Sequence, residues 1–216
     1  MPETATTNPI DPGVRIGHVH LKVSNLDRAL KFYCGVLGFE LKQRYGAQAA
    51  FTAAGGYHHH IGLNTWVSEG GSPPAAGSTG LFHLAILYPS RAQLADALRR
   101  VLEAGIVLDG ASDHGVSEAL YLRDPDDNGV ELYWDRPEAQ WPRAADGSLA
   151  MFTRPLDLQK LLEEAPAVAS ATRPSEPGRR ISDGTRGGDC GDQDDVGGDL
   201  ADTDGYCGLA GPADRI

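Results

Sequence analysis

The order strand, helix, strand, strand, strand is written into this chain twice, and that repetition restricts its fold more than any single motif does. In the first copy residues 16–23 alternate apolar and polar as a strand does. Ser24-Asn25 offers a helix cap, and Leu26, Leu30, Phe32-Tyr33 and Val36-Leu37 follow at helical spacing up to Gly38. Three strands are expected next, at 39–44, 49–53 and 58–66, with Gly46 and Gly55-Gly56 at the turns. A run of breakers at 68–78 closes the copy. The second copy opens with a strand at 81–87 and a helix capped by Pro89-Ser90 that carries Leu94, Ala97-Leu98 and Val101-Leu102 and stops at Gly105. Strands at 106–108, 119–123 and 130–134 complete it, and Asn128-Gly129 marks a hairpin between the last two. The expected fold is α+β: two tandem βαβββ modules, 15–67 and 80–136, forming a curved, cleft-bearing mixed sheet within a domain of residues 15–143.

What flanks the repeat reads differently. Residues 1–14 are rich in Pro and Thr and are expected to be flexible, and 144–165 form an extension with a short helix at 156–164. From 166 to 216 the chain is rich in Gly and Asp and poor in large apolar residues, too few to offset its ordering entropy, so a disordered tail is expected.

A net charge of −11 and a pI near 5.0 argue against a nucleic-acid partner, because no cluster of Lys and Arg is present to neutralise phosphates. No apolar run approaches membrane-spanning length, and the first residues lack the basic and apolar regions of a secretory signal. The three cysteines, Cys34, Cys190 and Cys207, are far apart and form no zinc or disulfide framework. A cytoplasmic protein is expected.

Histidines carry the chemical signal. There are seven, none beyond His114, and three are consecutive: His58-His59-His60. His18 and His83 stand at the same place in the first strand of each copy, 65 residues apart, and packing alone does not call for an imidazole in each. Glu131 lies among apolar neighbours in the last strand, where a carboxylate either meets solvent or is held by a cation. If the first and last strands share a cleft, His18, His83 and Glu131 make the two-histidine, one-carboxylate set of non-haem Fe(II) oxygenases, which leaves positions open for substrate and O2. Histidines of the core or surface are the plainer account. His20 shares the parity of His18 and reads equally as a pocket residue. The acidic run Asp124-Pro125-Asp126-Asp127-Asn128 reads as a polar hairpin turn before it reads as a cation site.

Gly17-His18-Val19-His20-Leu21-Lys22-Val23, Asn25-Leu26-Asp27-Arg28-Ala29-Leu30-Lys31-Phe32-Tyr33 and Val36-Leu37-Gly38-Phe39 resemble the opening of the vicinal oxygen chelate superfamily. Leu122-Arg123-Asp124-Pro125-Asp126-Asp127-Asn128-Gly129-Val130-Glu131-Leu132 resembles its closing strand pair. Within it, residues 57–66 and 112–121 look most like the compact catechol 2,3-dioxygenase-like proteins.

The resemblance implies a divalent metal, Fe(II) first and Mn(II) or another as alternatives, held by His18, His83 and Glu131. It places an acid/base histidine at His59, with His60 the near alternative. Tyr121, ten residues before Glu131, matches the tyrosine that bonds the substrate oxygen. A further histidine of those enzymes falls on Ser112, with His114 two residues out of register. The fourth, glutamate ligand of glyoxalase I falls on Gly62, which has no side chain to coordinate with. The implied partners are a small aromatic diol and O2, and a homo-oligomer is left open. The activity implied is extradiol ring cleavage. A metal-dependent lyase, isomerase or thiol transferase, or a non-catalytic small-molecule-binding module, are the alternatives.

Overall fold

The structure, a computed structural model, describes residues 8–167. Most of the tail expected to be disordered, 168–216, and residues 1–7 of the expected flexible N-terminus lie outside the described residues. The fold is α+β, and each βαβββ copy builds its own mixed sheet.

In the first copy β1 (Val19–Lys22) runs parallel to β4 (Ile61–Asn64), and β3 (Ala49–Ala53) and β2 (Glu40–Tyr45) follow antiparallel, in the order β1-β4-β3-β2. The second repeats the plan with β5 (Leu84–Leu87) parallel to β8 (Gly129–Asp135), then β7 (Ser117–Arg123) and β6 (Leu108–Asp113). A two-residue strand from the extension, β9 (Arg154–Pro155), adds itself to β6.

The helices start where their caps place them. Asn25 accepts the amide of Arg28 at 2.9 Å to open α1 (Leu26–Leu30), and Ser90 accepts that of Gln93 at 3.3 Å to open α2 (Arg91–Glu103). Each such cap contributes about 1 kcal/mol. After Leu30 the helix widens into a π-type turn over Lys31–Val36 and ends at Gly38, whose φ of +85° suits glycine. Asp157 caps the short α3 (Leu158–Leu162), which buries Leu161 in the core.

Strand alternation sorts each sheet into two faces. Leu120 and Leu122 of β7 with Val130 and Leu132 of β8 are buried in the same core as Leu94, Leu98 and Val101 of α2. Their alternates Tyr121, Glu131 and Tyr133 point the other way and stay half-buried. The cores of the two copies merge into one cluster, and the acidic hairpin turn braces it. Tyr33 donates to Asp124 Oδ2 at 3.0 Å, while Asp126 accepts the amide of Ser24 at 3.0 Å and the guanidinium of Arg28 at 2.6 Å. The acidic run therefore ties the copies together through Asp124 and Asp126 Oδ1, while Asp126 Oδ2 is buried without a hydrogen-bond partner among the described residues.

Candidate active site

On the first sheet the candidate residues form a group of rings. His18 lies just before β1 and meets His59 with ring centroids 4.4 Å apart, and Phe51 of β3 stands 5.0 Å from His59. His20 leans over Gly62, its register partner, between Phe51 and Trp66. A Cβ on Gly62 would fall 2.9–3.1 Å from the His20 ring, so the imidazole fills the space a side chain at that position would need.

The histidine triplet is not on a strand. The expected strand at 58–66 shrinks to Ile61–Asn64, because the turn at Gly55-Gly56 extends through His60 before pairing begins. Face alternation therefore does not govern the triplet. His59 is the member that turns toward His18, and its Nδ1 lies at hydrogen-bonding distance, 2.7 Å, from His58 Nδ1. His60 instead accepts the Ala54 amide at 3.3 Å and stacks near Tyr57. Burial first, and then the nearby His18, holds the imidazoles of His59 and His20 below their ordinary value.

The second sheet carries a continuous hydrogen-bonded line. His83 Nε2 lies 2.9 Å from Glu131 Oε2, and Tyr121 donates to Glu131 Oε1 at 3.1 Å. His114 Nε2 meets the Tyr121 hydroxyl at 2.8 Å, and His114 Nδ1 meets Thr153 Oγ1 at 3.1 Å. The two-residue offset of His114 in the sequence does not keep it from Tyr121, because the turn between β6 and β7 carries the ring back over the sheet. Burial, then the charge and hydrogen bond of Glu131, pushes the Tyr121 phenol up to about 12. Thr153 was not among the residues singled out from sequence, and a lone threonine in an irregular segment gives no signal there.

A cavity of about 310 Å³ opens beside this line, bounded by Phe82, His83, Tyr121, Leu122 and Val130, within the size range of small-ligand sites. A larger one, about 550 Å³, is lined by Ser24, Asp27, Arg28 and Glu69 and holds none of the candidate residues.

The structure thus brings His83, Glu131, Tyr121 and His114 together, and separately His18 with His59. Among the described residues no three His, Cys, Asp or Glu side chains come close enough to hold a metal ion. The His83–Glu131 pair, an imidazole that lines the cavity beside a carboxylate, has the donor chemistry a divalent cation takes.

Comparison with known proteins agrees with this architecture. Residues 15–132, more than half of the chain, match the Glyoxalase/Bleomycin resistance protein/Dioxygenase superfamily, and the chain belongs to it. It is 41% identical over 170 residues to the catechol-2,3-dioxygenase of Bacillus subtilis (strain 168), covering 77% of this chain and 58% of that protein. It is 33% identical over 122 residues to biphenyl-2,3-diol 1,2-dioxygenase 3 of Rhodococcus globerulus, covering 56% of this chain and 63% of that protein. The chain therefore spans about three fifths of the length of these curated relatives. Among solved structures, a glyoxalase/dioxygenase from Nostoc punctiforme aligns with a TM-score of 0.49 at 18% identity, over 62% of this chain and 100% of that one. Among the described residues no helix is long and apolar enough to cross a membrane.

Proposed function

We propose that the protein is a metal-dependent extradiol dioxygenase that opens the ring of a catecholic aromatic next to its diol, with both atoms of O2 entering the product. The observation that carries this reading is the line His83–Glu131–Tyr121–His114, of which His83 and Tyr121 border a cavity of ring-sized volume. Relatives named as dioxygenases of catechol and of biphenyl-2,3-diol support the substrate class.

His83 and Glu131 would hold the metal, with His18 as third donor. His18 belongs to the other copy of the repeat, so the reading requires it to be carried to the pair by a shift of one module or by a second copy of the chain. Fe(II) in that place supplies Lewis acidity toward the diol hydroxyls and the redox chemistry that O2 requires. The chain's own groups do the rest. Tyr121 turns its single proton from Glu131, where it rests in the substrate-free chain, to the deprotonated diol oxygen of a bound substrate, and His114 holds the Tyr121 phenol from its other side. His59, kept neutral by burial, accepts and returns a proton, with His60 turned away toward Ala54. Phe82, exposed beside His83, supplies apolar surface for the ring. The lyase alternative is disfavoured by the His20 ring, which occupies the space over Gly62.

The test is to load the protein with Fe(II) under anaerobic conditions, add catechol and then O2, and follow the yellow ring-opened product. His83→Ala should abolish metal retention, whereas His59→Ala should retain metal and turn over slowly. No product from any catechol, with no metal retained, overturns the reading.

A further inference from the structure

Thr153 belongs to the extension, outside both copies of the repeat, yet the structure carries it to His114 by a specific route. β9 pairs with β6 in the register Asp113↔Arg154 and Ser112↔Pro155, which lays the preceding residue beside the β6–β7 turn. The Phe152 amide donates to the His114 carbonyl at 3.3 Å. The Phe152 ring and Pro142 close over Gly115, where a Cβ would fall 2.6 Å from Phe152 Cε1. Asp113 holds the turn from beneath, accepting the Gly115 amide at 2.8 Å and Arg136 at 2.5 Å. The turn that carries His114 is thus held by its neighbours, and Thr153 is the residue that reaches the His114 Nδ1.

The direction of the hydrogen bonds follows from counting protons. The Tyr121 hydroxyl donates to Glu131 Oε1 at 3.1 Å. The Tyr121 hydroxyl has one proton, which is spent on Glu131, so toward His114 its oxygen accepts. His114 Nε2 must therefore carry the proton, and in a neutral imidazole Nδ1 is then a bare lone pair. Among the described residues it is the Thr153 hydroxyl that faces that lone pair, at 3.1 Å, and it donates. Every bond from Thr153 to Glu131 points the same way.

We propose that Thr153 is a positioning residue that holds His114 as the Nε2–H tautomer, so that His114 donates to Tyr121 and leaves the Tyr121 proton directed at Glu131. Without the hydroxyl, Nδ1 faces water and the ring is free to take the opposite tautomer. A bare Nε2 would then draw the Tyr121 proton away from Glu131, and Tyr121 would present the wrong side of its hydroxyl to the cavity. The consequence for turnover rests on the ring-cleaving reading above, whereas the tautomer itself does not.

The experiment is nitrogen NMR on the full-length, metal-free chain with 15N-labelled histidine, at a pH about one unit above the ordinary imidazole value of about 6.5. His114→Asn assigns the resonances. The wild type should show a protonated Nε2 and a bare Nδ1 at His114. Thr153→Val, which keeps the shape and loses the hydroxyl, should mix or invert the two forms, and Thr153→Ser should restore them. Circular dichroism checks that the variants fold. A protonated Nδ1 in the wild type overturns the proposal, as does a His114 spectrum unchanged in Thr153→Val. With Fe(II) and catechol, Thr153→Val should lower kcat roughly tenfold to a hundredfold with KM little changed, and the serine variant should recover it. Equal losses in the valine and serine variants overturn it too. A protein that turns over no catechol yet shows the stated tautomer would sink the dioxygenase reading and leave the role of Thr153 standing.

Discussion

The carbonyl oxygen of Phe82 occupies the space where Gly129 would carry a side chain: a Cβ on Gly129 would stand 2.0 Å from that oxygen and 3.1 Å from the Cα of His83. The chain entering β5 thus lies directly on the first residue of β8, and this closeness sets His83 against Glu131 two residues further on. Gly129→Ala should push the two strands apart. We expect a loss of about 1–3 kcal/mol in urea unfolding and a weaker Mn(II) titration than wild type. An alanine variant of wild-type stability and Mn(II) affinity would show that the contact does not position His83.

His20 and Gly62 make a looser contact of the same kind, since a ring can turn where a backbone cannot. Gly62→Ala should cost less than Gly129→Ala, and the cost should shrink when His20 is first replaced by Ala. A double-mutant cycle by urea denaturation reads this as a coupling of roughly 0.5 kcal/mol or more. Strictly additive effects would mean that the His20 ring does not press on position 62.

Glu118 is buried between two guanidinium groups, accepting Arg91 Nε at 2.6 Å and Arg136 at 2.7 Å. Arg91 also pairs with Glu164 beyond α3, so the network fastens the extension to the second copy. Glu118→Ala takes the buried carboxylate from both guanidinium groups, leaving Arg91 with Glu164 and Arg136 with Asp113, and should cost about 1–3 kcal/mol. Thermal unfolding should show the loss, and a variant within the error of wild type would assign the clasp to Leu161 and α3 alone.

Stability in acid should fall in two stages. The imidazoles of His20 and His59 are held below their ordinary value, chiefly by burial. The unfolded chain therefore takes up these protons first, and their contribution is complete above about pH 6.5 and declines below it. Burial alone would raise the carboxyls of Asp96 and Asp113, but hydrogen bonds from Arg99 and Arg136, with further nearby donors and charges, outweigh it and hold both low. Their contribution is present above the unfolded carboxyl value of about 3.9 and is lost as the pH falls beneath it. Asp135, raised by burial, runs the other way and offsets part of the second stage. Urea midpoints measured from pH 8 to 3 on the metal-free chain check both, and a flat profile between pH 7 and 5 would remove the first.

Much of this fold is legible in the sequence. β3 falls where alternation at 49–53 puts it, and α2 starts after Ser90 and stops before Gly105 as its cap and its positive-φ glycine dictate. The strand expected at 58–66 loses its first three residues because the turn at Gly55-Gly56 needs them, and alternation in sequence does not report where a ladder starts. The strand expected at 106–108 runs instead over Leu108–Asp113, through a polar stretch that pairs with β7 by its backbone. β9 has two residues, too few to show a period, and Thr153 has meaning only because that ladder places it. His114 was visible as a residue but not as a neighbour of Tyr121, since a turn between two strands can absorb an offset of two. The separation of His18 from the His83–Glu131 pair depends on how the copies pack, which neither copy's pattern encodes.

The imidazole resting over Gly62 also bears on how such a chain changes its chemistry over time. Installing a carboxylate at position 62 would collide with the ring, and removing the ring alone leaves an empty hollow beside Trp66 with nothing gained. Neither single replacement is an improvement on the way to a site with one more oxygen donor. The pair therefore couples the two positions: a side chain gained at 62 requires the His20 ring to turn aside or to be replaced as well.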